Sequence, residues 1–241
     1  MLFRNKAGLS VLTVVVGAAA VAPAVADTGF YVGLTAGQSR FHQTKGDGDA
    51  MAVAAWDSGP DSFTYNIASS SINKNDIAFS AVVGYRFMPA LSFEASYTDL
   101  GESKYRSAGT LNFNPYPFTT RGTADFTTHA KGPTLAALVA LPLSTNLEIY
   151  GKAGLIYSRV TLEFGSYMEH CPCGPIPSTS STTSVVSNTL DPLVGIGAAW
   201  HMTNRVTLRA EYTRFIDVGD QDKTAETNID LINVGVMYSF R

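Results

Sequence analysis

The sequence predicts an all-β protein, an eight-stranded antiparallel up-and-down transmembrane β-barrel. Three observations carry that reading. The chain is poor in charge, with Asp, Glu, Lys and Arg at 15% of its 241 residues, where a soluble protein carries about a quarter. After its N-terminal segment it has no long apolar run of the kind a membrane helix needs. Its apolar residues instead recur at every second position, in stretches separated by turn residues, which is strand periodicity. A closed barrel reconciles an apolar chain with the lack of spanning helices, because closure pairs every backbone group inside lipid.

The N-terminal segment is a separate element. Arg4 and Lys6 precede a charge-free stretch that closes on Ala24-Val25-Ala26. A basic start, an apolar middle and a small-x-small end make a secretory signal peptide. Residues 1–26 are therefore expected to be removed, leaving 27–241 as the barrel domain. Pro23 and the Ala-x-Ala end favour cleavage over a retained anchor. The lost segment carries two bases and no acid, so the mature chain is more acidic than the net −3 of the whole. Nothing basic enough for nucleic acid is present.

The strands follow in order. In "GFYVGLTAGQSRF", Phe30, Val32, Leu34 and Ala36 alternate with Tyr31, Gly33, Thr35 and Gly37. A polar stretch from 42 to about 76, rich in Gly, Ser, Asp and Asn, reads as a loop with strand extensions at its ends. Next, Phe79, Ala81, Val83, Tyr85 and Phe87 share a face, Met88-Pro89-Ala90 turns the chain, and Leu91, Phe93, Ala95 and Tyr97 resume that face. A second hairpin turns at Ser144 to Asn146 and sets Leu147, Ile149, Ala153, Leu155 and Tyr157 against Glu148, Tyr150, Lys152, Gly154 and Ser158. A third turns at His201 to Asn204, with Val194, Ile196, Ala198, Trp200, Val206, Leu208, Ala210 and Tyr212 on the apolar side. The closing strand carries Ile232, Val234, Val236, Tyr238 and Phe240 on one face. That makes eight strands. Three connections are short and four are long, at roughly 42–76, 101–125, 163–186 and 216–227, the asymmetry of outer-membrane barrels. An even count also lets the last strand pair with the first and removes the exposed edge.

Alternation alone leaves open which face is outside. A lipocalin-like barrel would turn its apolar residues inward. Here the polar face is rich in Gly, Ala, Ser and Thr, which suit a narrow interior. Aromatic residues gather toward strand ends on the apolar face, as a membrane girdle would. The lumen then receives Arg86, Glu94, Glu148, Lys152, Arg209 and Glu211. Buried charges need partners: Glu94 and Arg209 can meet across the axis, and Lys152 can pair with Glu94 or Glu211. Such a network is either a plug or, by exchanging partners, a gate. An eight-stranded interior is nearly filled by side chains, which favours the plug.

The stretches "FYVGLTAGQSRF", "VGYRFMPALSFEASYTDLG", "LPLSTNLEIYGKAGLIYS", "VTLRAEYTRFIDVGD" and "INVGVMYSF" resemble the eight-stranded transmembrane domain of the OmpA family over nearly the whole mature chain, in strands more than loops. The resemblance implies a Gram-negative protein of the cell outer membrane, inserted by the barrel-assembly machinery through a terminal aromatic signal, Tyr238 and Phe240. It places Glu94 and Arg209 at the family's interior pair. Leu138 and Ala199 stand where that family's network has a lysine and a glutamate, and Arg241 follows the terminal aromatic. No periplasmic peptidoglycan-binding domain follows, so a barrel-only relative similar in plan to the OmpX and opacity-type surface proteins is expected.

Three functions compete. The first is a structural and surface-display barrel, a monomer in lipid and lipopolysaccharide, whose loops meet an external ligand. Asn114, Tyr116, Phe118 and Arg121 in the second long loop form an aromatic-polar mix suited to such contact. The second is a narrow pore or a channel for hydrophobic compounds of the OmpW type, for which Val82, Leu138, Ile156 and Met237 would line the lumen. The third is a lipid A-modifying enzyme using His129 near the rim, for which the sequence offers no evident orienting acid. Cys171 and Cys173, beside His170, can form a local disulfide. As a metal site they offer too few ligands, and no cofactor is expected.

Overall fold

The computed structural model describes residues 28–57, 63–113, 118–169 and 178–240. The signal-peptide segment 1–26, Asn114, Tyr116, Cys171 and Cys173 lie outside the described residues. Eight antiparallel strands close a ring: β1 (Gly29–Phe41), β3 (Asn75–Met88), β4 (Leu91–Phe113), β5 (Phe118–Pro142), β6 (Leu147–Met168), β7 (Thr179–His201), β8 (Val206–Val218) and β9 (Thr227–Ser239). The order is β4-β3-β1-β9-β8-β7-β6-β5, and β4 pairs with β5 to complete it. The closing strand finds its partner in the first: Val32 faces Tyr238 and Ala36 faces Val234. The apolar parity points outward, leaving Leu34, Leu135, Ile196 and Ile232 each about two-thirds exposed, at 70%, 68%, 67% and 65%. These side chains meet lipid rather than water.

The strands differ greatly in length. β1, β8 and β9 have 13 residues each, while β4 to β7 have between 22 and 25. Ten further residues at roughly 3.3 Å each, tilted near 40°, carry those four strands about 25 Å beyond the membrane. The long connections expected at 101–125 and 163–186 are therefore mostly strand. Ser and Thr hid the alternation there, since they occupy both faces of a sheet that stands in water. Tyr105, Ser107 and Leu111 are buried, while Lys104 and Arg106, on either side of Tyr105, are exposed.

The first long connection also corrects to structure. It holds a helix, α1 (Lys45–Asp57), and a further strand, β2 (Phe63–Asn73). β2 continues into β3 after Lys74, and it pairs with the upper half of β4, Asn73 facing Lys104. A bulge after Asp99 marks the change of partner. Gly101 sits there at φ 74°, where a Cβ would crowd the Asp76 side chain. The Glu102 amide donates to Asp76 Oδ2 at 2.8 Å.

α1 opens with a reciprocal cap: the Thr44 amide donates to Asp47 Oδ2 at 3.0 Å and the Asp47 amide to Thr44 Oγ1 at 3.2 Å. Thirteen residues with two glycines are marginal as an isolated helix. Packing supplies what propensity lacks, as Ala52 is buried among Tyr65, Tyr105, Leu111, Ala124, Phe126 and Leu162 of β2, β4, β5 and β6. Gly48 lies against the Tyr105 ring with no room for a Cβ. The Thr44 hydroxyl and amide hold the Asp47 carboxyl below its ordinary value, and the Ser70 and Tyr105 hydroxyls do the same for Asp49. A depressed carboxylate stabilises the folded state above its unfolded pKa of 3.8 and loses that contribution as pH falls through its lowered value. Docking of α1 should thus be unchanged from neutral pH down to 3.8 and weaken below it. Pepsin digestion at stepped acid pH, with mapping of cleavage between 45 and 57, reads that window.

Candidate functional site

The inward parity of the strands collects Arg86, Glu94, Glu148, Lys152, Arg209 and Glu211 in two clusters, while Asp191, also buried, lies apart and accepts from the Ser158 and Thr189 hydroxyls. Arg209, on β8, is the centre of the first. Its guanidinium donates to Glu94 on β4, to Glu211 Oε2 at 2.9 Å, and through Nε to the Tyr150 hydroxyl at 3.0 Å. Lys152 Nζ lies 3.0 Å from Glu211 and 3.7 Å from Glu94. Three uncharged groups complete it. The Tyr31 hydroxyl donates to Glu94 at 2.7 Å, the Tyr150 hydroxyl to Glu211 Oε2 at 2.9 Å, and the Thr213 hydroxyl to Glu211 Oε1 at 2.7 Å. Two acids and two bases thus neutralise one another in a site that buries Glu94, Arg209 and Glu211. Glycines make the room: a Cβ on Gly84 or Gly197 would run into the ring of Tyr31 or Tyr150.

The second cluster lies at the end with short turns. Arg86 on β3 forms a two-pronged pair with Glu148 on β6, at 2.6 and 3.0 Å. His201 Nε2 stands 3.5 Å from the same carboxylate. A vestibule of about 190 Å³ opens there, lined by Arg86, Glu148, Tyr150, His201 and Arg209. Beyond the first cluster the space narrows to about 20 Å³ among Thr35, Ser80, Glu94, Lys152 and Thr213.

Above that lies a layer absent from the sequence reading. Phe41, Ile229, Phe215 and Leu193 are successive register partners across β1, β9, β8 and β7. All four are nearly fully buried, and Leu100 and Ile156 join them. Charge thus crosses the lumen below and hydrocarbon above. The four residues considered for an apolar tunnel are also buried. Val82 and Met237 pack with Tyr31, whereas Leu138 and Ile156 belong to the larger cluster.

An eight-stranded ring, an apolar outer wall and a neutralised polar interior are the features of one kind of membrane barrel. The OmpA-like transmembrane domain model matches residues 25–241. The chain belongs to this family. This OmpA-like barrel is a Gram-negative protein of the cell outer membrane. It is 23% identical over 238 residues to outer membrane protein A of Serratia marcescens, covering 98% of the chain and 56% of that relative. Against outer membrane protein A of Yersinia pseudotuberculosis serotype I (strain IP32953), identity is 28% over 169 residues, covering 70% and 41%. The barrel thus spans about half the length of these relatives. Among solved structures, Neisserial surface protein A aligns at TM-score 0.45 and 16% identity, covering 88% of this chain and 97% of the other.

The remaining sequence-predicted residues of the OmpA-like barrel fall as follows. Phe118 and Arg121 belong to β5 rather than to a loop, and the Arg121 side chain is exposed. Tyr238 and Phe240 are exposed at the end with short turns, their rings 5.3 Å apart edge to face. His129 does have an acid, as its Nε2 lies 2.9 Å from Asp99 Oδ1. Among the described residues no hydroxyl hydrogen-bonds to His129. Tyr31, Tyr150, His201 and Thr213 were not among the expected network residues. Their signal was parity alone, which places a residue inward without saying what it touches.

Proposed function

We propose that this outer-membrane barrel is a closed anchor that holds a folded β-platform outside the cell for contact with an external partner. The observation that carries the reading is the extension of β4 to β7, which with β2 and α1 encloses a hydrophobic core of its own beyond the membrane. A rigid, independently packed platform suits recognition better than mobile loops, because less conformational freedom is lost on binding. Arg121, on the upper part of β5, and Asn114, Tyr116 and Phe118 nearby in the sequence are the contact candidates. The barrel wall itself sits in lipid and lipopolysaccharide.

A narrow pore is the second reading, favoured by the vestibule that reaches Arg209 from the short-turn end. Planar-bilayer recording of the refolded protein decides between them. Heat-dependent gel mobility confirms folding beforehand. The expected result is a folded barrel without discrete conductance steps, since both the charge cluster and the apolar layer block the axis. Steps that change in Glu94→Ala would overturn the closed-anchor reading in favour of a pore.

A further inference from the structure

We propose that Lys131 and Arg159 form a site on the outer wall that binds a phosphate group of an outer-leaflet glycolipid. The two residues are direct cross-strand partners on β5 and β6. Both share the outward parity of Leu135, Leu155 and Tyr157, which face lipid. Arg159 lies one outward position above Tyr157, and Lys131 two above Leu135, so the pair stands where the hydrocarbon gives way to head groups. Like charges directly opposite in a sheet repel, and two of them held side by side call for an anion. The chain supplies one carboxylate for the two cations, Asp99, whose charge acts on Lys131 from the neighbouring strand. Among the described residues neither cation enters an ion pair or a hydrogen bond. Asp99, facing Lys131 from β4, is engaged by His129 and by the Gly101 amide at 2.9 Å. Asn188, facing Arg159 from β7, is neutral.

The contrast with the other side of the wall supports the assignment. Arg214 there, beyond Tyr212, is matched by Asp230 at 2.7 Å, and His42 reaches the same carboxylate at 2.6 Å. An amphiphile whose acyl chains lie along Leu135, Leu155 and Leu190 would set its phosphate at Lys131 and Arg159. A free phosphate in water would gain the cations but not the apolar wall. The inference rests on the long strands being the outward end, as in the proposed function.

Native mass spectrometry of the purified barrel, titrated with diphosphorylated and with fully dephosphorylated lipid A, tests it. The double variant Lys131→Gln/Arg159→Gln should retain the diphosphorylated lipid about tenfold less than the parent, the scale of one charge-assisted hydrogen bond. Arg205→Gln, on a short turn at the other end, should retain it like the parent, and dephosphorylated lipid A should bind weakly to all three. Gel mobility shows that each variant is folded. Equal retention by the double variant overturns the site. Displacement of the lipid by inorganic phosphate at equal concentration overturns the lipid assignment in favour of a free-anion site. Antibody access in whole cells to an epitope placed in the 220–223 turn reports orientation separately, so a failure of the site is distinguishable from an inverted barrel.

Discussion

Arg209→Ala should destabilise the barrel by about 3–5 kcal/mol, the usual cost of leaving a buried charge without its partner. Arg209 donates hydrogen bonds to both Glu94 and Glu211 through its guanidinium and also donates to Tyr150. Its removal leaves two buried carboxylates served by one ammonium, Lys152, at 3.7 and 3.0 Å. Glu94 is the more exposed to the loss electrostatically, because its Oε2 already lacks a hydrogen-bond partner. The measurement is a urea titration of the barrel in lipid vesicles, followed by tryptophan fluorescence and gel mobility. A second variant separates charge balance from simple loss of a side chain. Arg209→Met with Glu94→Gln removes one charge of each sign while keeping volume, and Lys152 still neutralises Glu211. It should recover most of the lost stability, since replacing a buried pair by apolar or neutral groups is commonly close to neutral. If Arg209→Ala costs less than about 1 kcal/mol, the range of exposed ion pairs, the cluster is hydrated and does not hold the lumen shut.

Tyr105→Ala should release α1 while leaving the membrane barrel intact. Tyr105 is buried to 4% exposure, and its hydroxyl donates to Asp49 Oδ1 at 2.5 Å. Its ring packs on Gly48 and lies 5.8 Å from that of Phe126. Truncating a buried aromatic costs about 3–5 kcal/mol, more than a 13-residue helix with two glycines can recover from its own propensity. Trypsin should then cut at Lys45 in the variant and not in the parent, with heat-dependent gel mobility unchanged. Loss of that mobility in the variant would mean that the platform and the barrel fold as one unit, contrary to their separate cores.

Legibility in the sequence followed the environment of each strand. Where one face meets lipid, as in Phe30-Tyr31-Val32-Gly33-Leu34, the contrast between faces is large and the parity is plain. Where both faces meet water or a small core, as in Thr127-Thr128-His129 of β5, the contrast shrinks and the same geometry reads as loop. α1 was illegible for a related reason. Its glycines and aspartates argue against a helix, and the Tyr105 ring that makes Gly48 the right residue lies 57 positions away.

The charged lumen shows the same division. Parity placed Arg86, Glu94, Glu148, Lys152, Arg209 and Glu211 on one side of the wall, because a strand offers its side chains only two directions. It could not say that Arg86 takes Glu148 while Arg209 takes Glu94 and Glu211. That choice depends on height and rotation around the ring, which follow from strand register and tilt. The sequence by itself determined the alternation, the short turns, the closing aromatic strand and hence a barrel with an apolar outside. Register decided the rest: which charges meet, which of Phe41, Leu193, Phe215 and Ile229 stack into a seal, and where β4 trades β3 for β2. Each of those depends on residues brought together from distant strands, and a local pattern of period two holds no information about them.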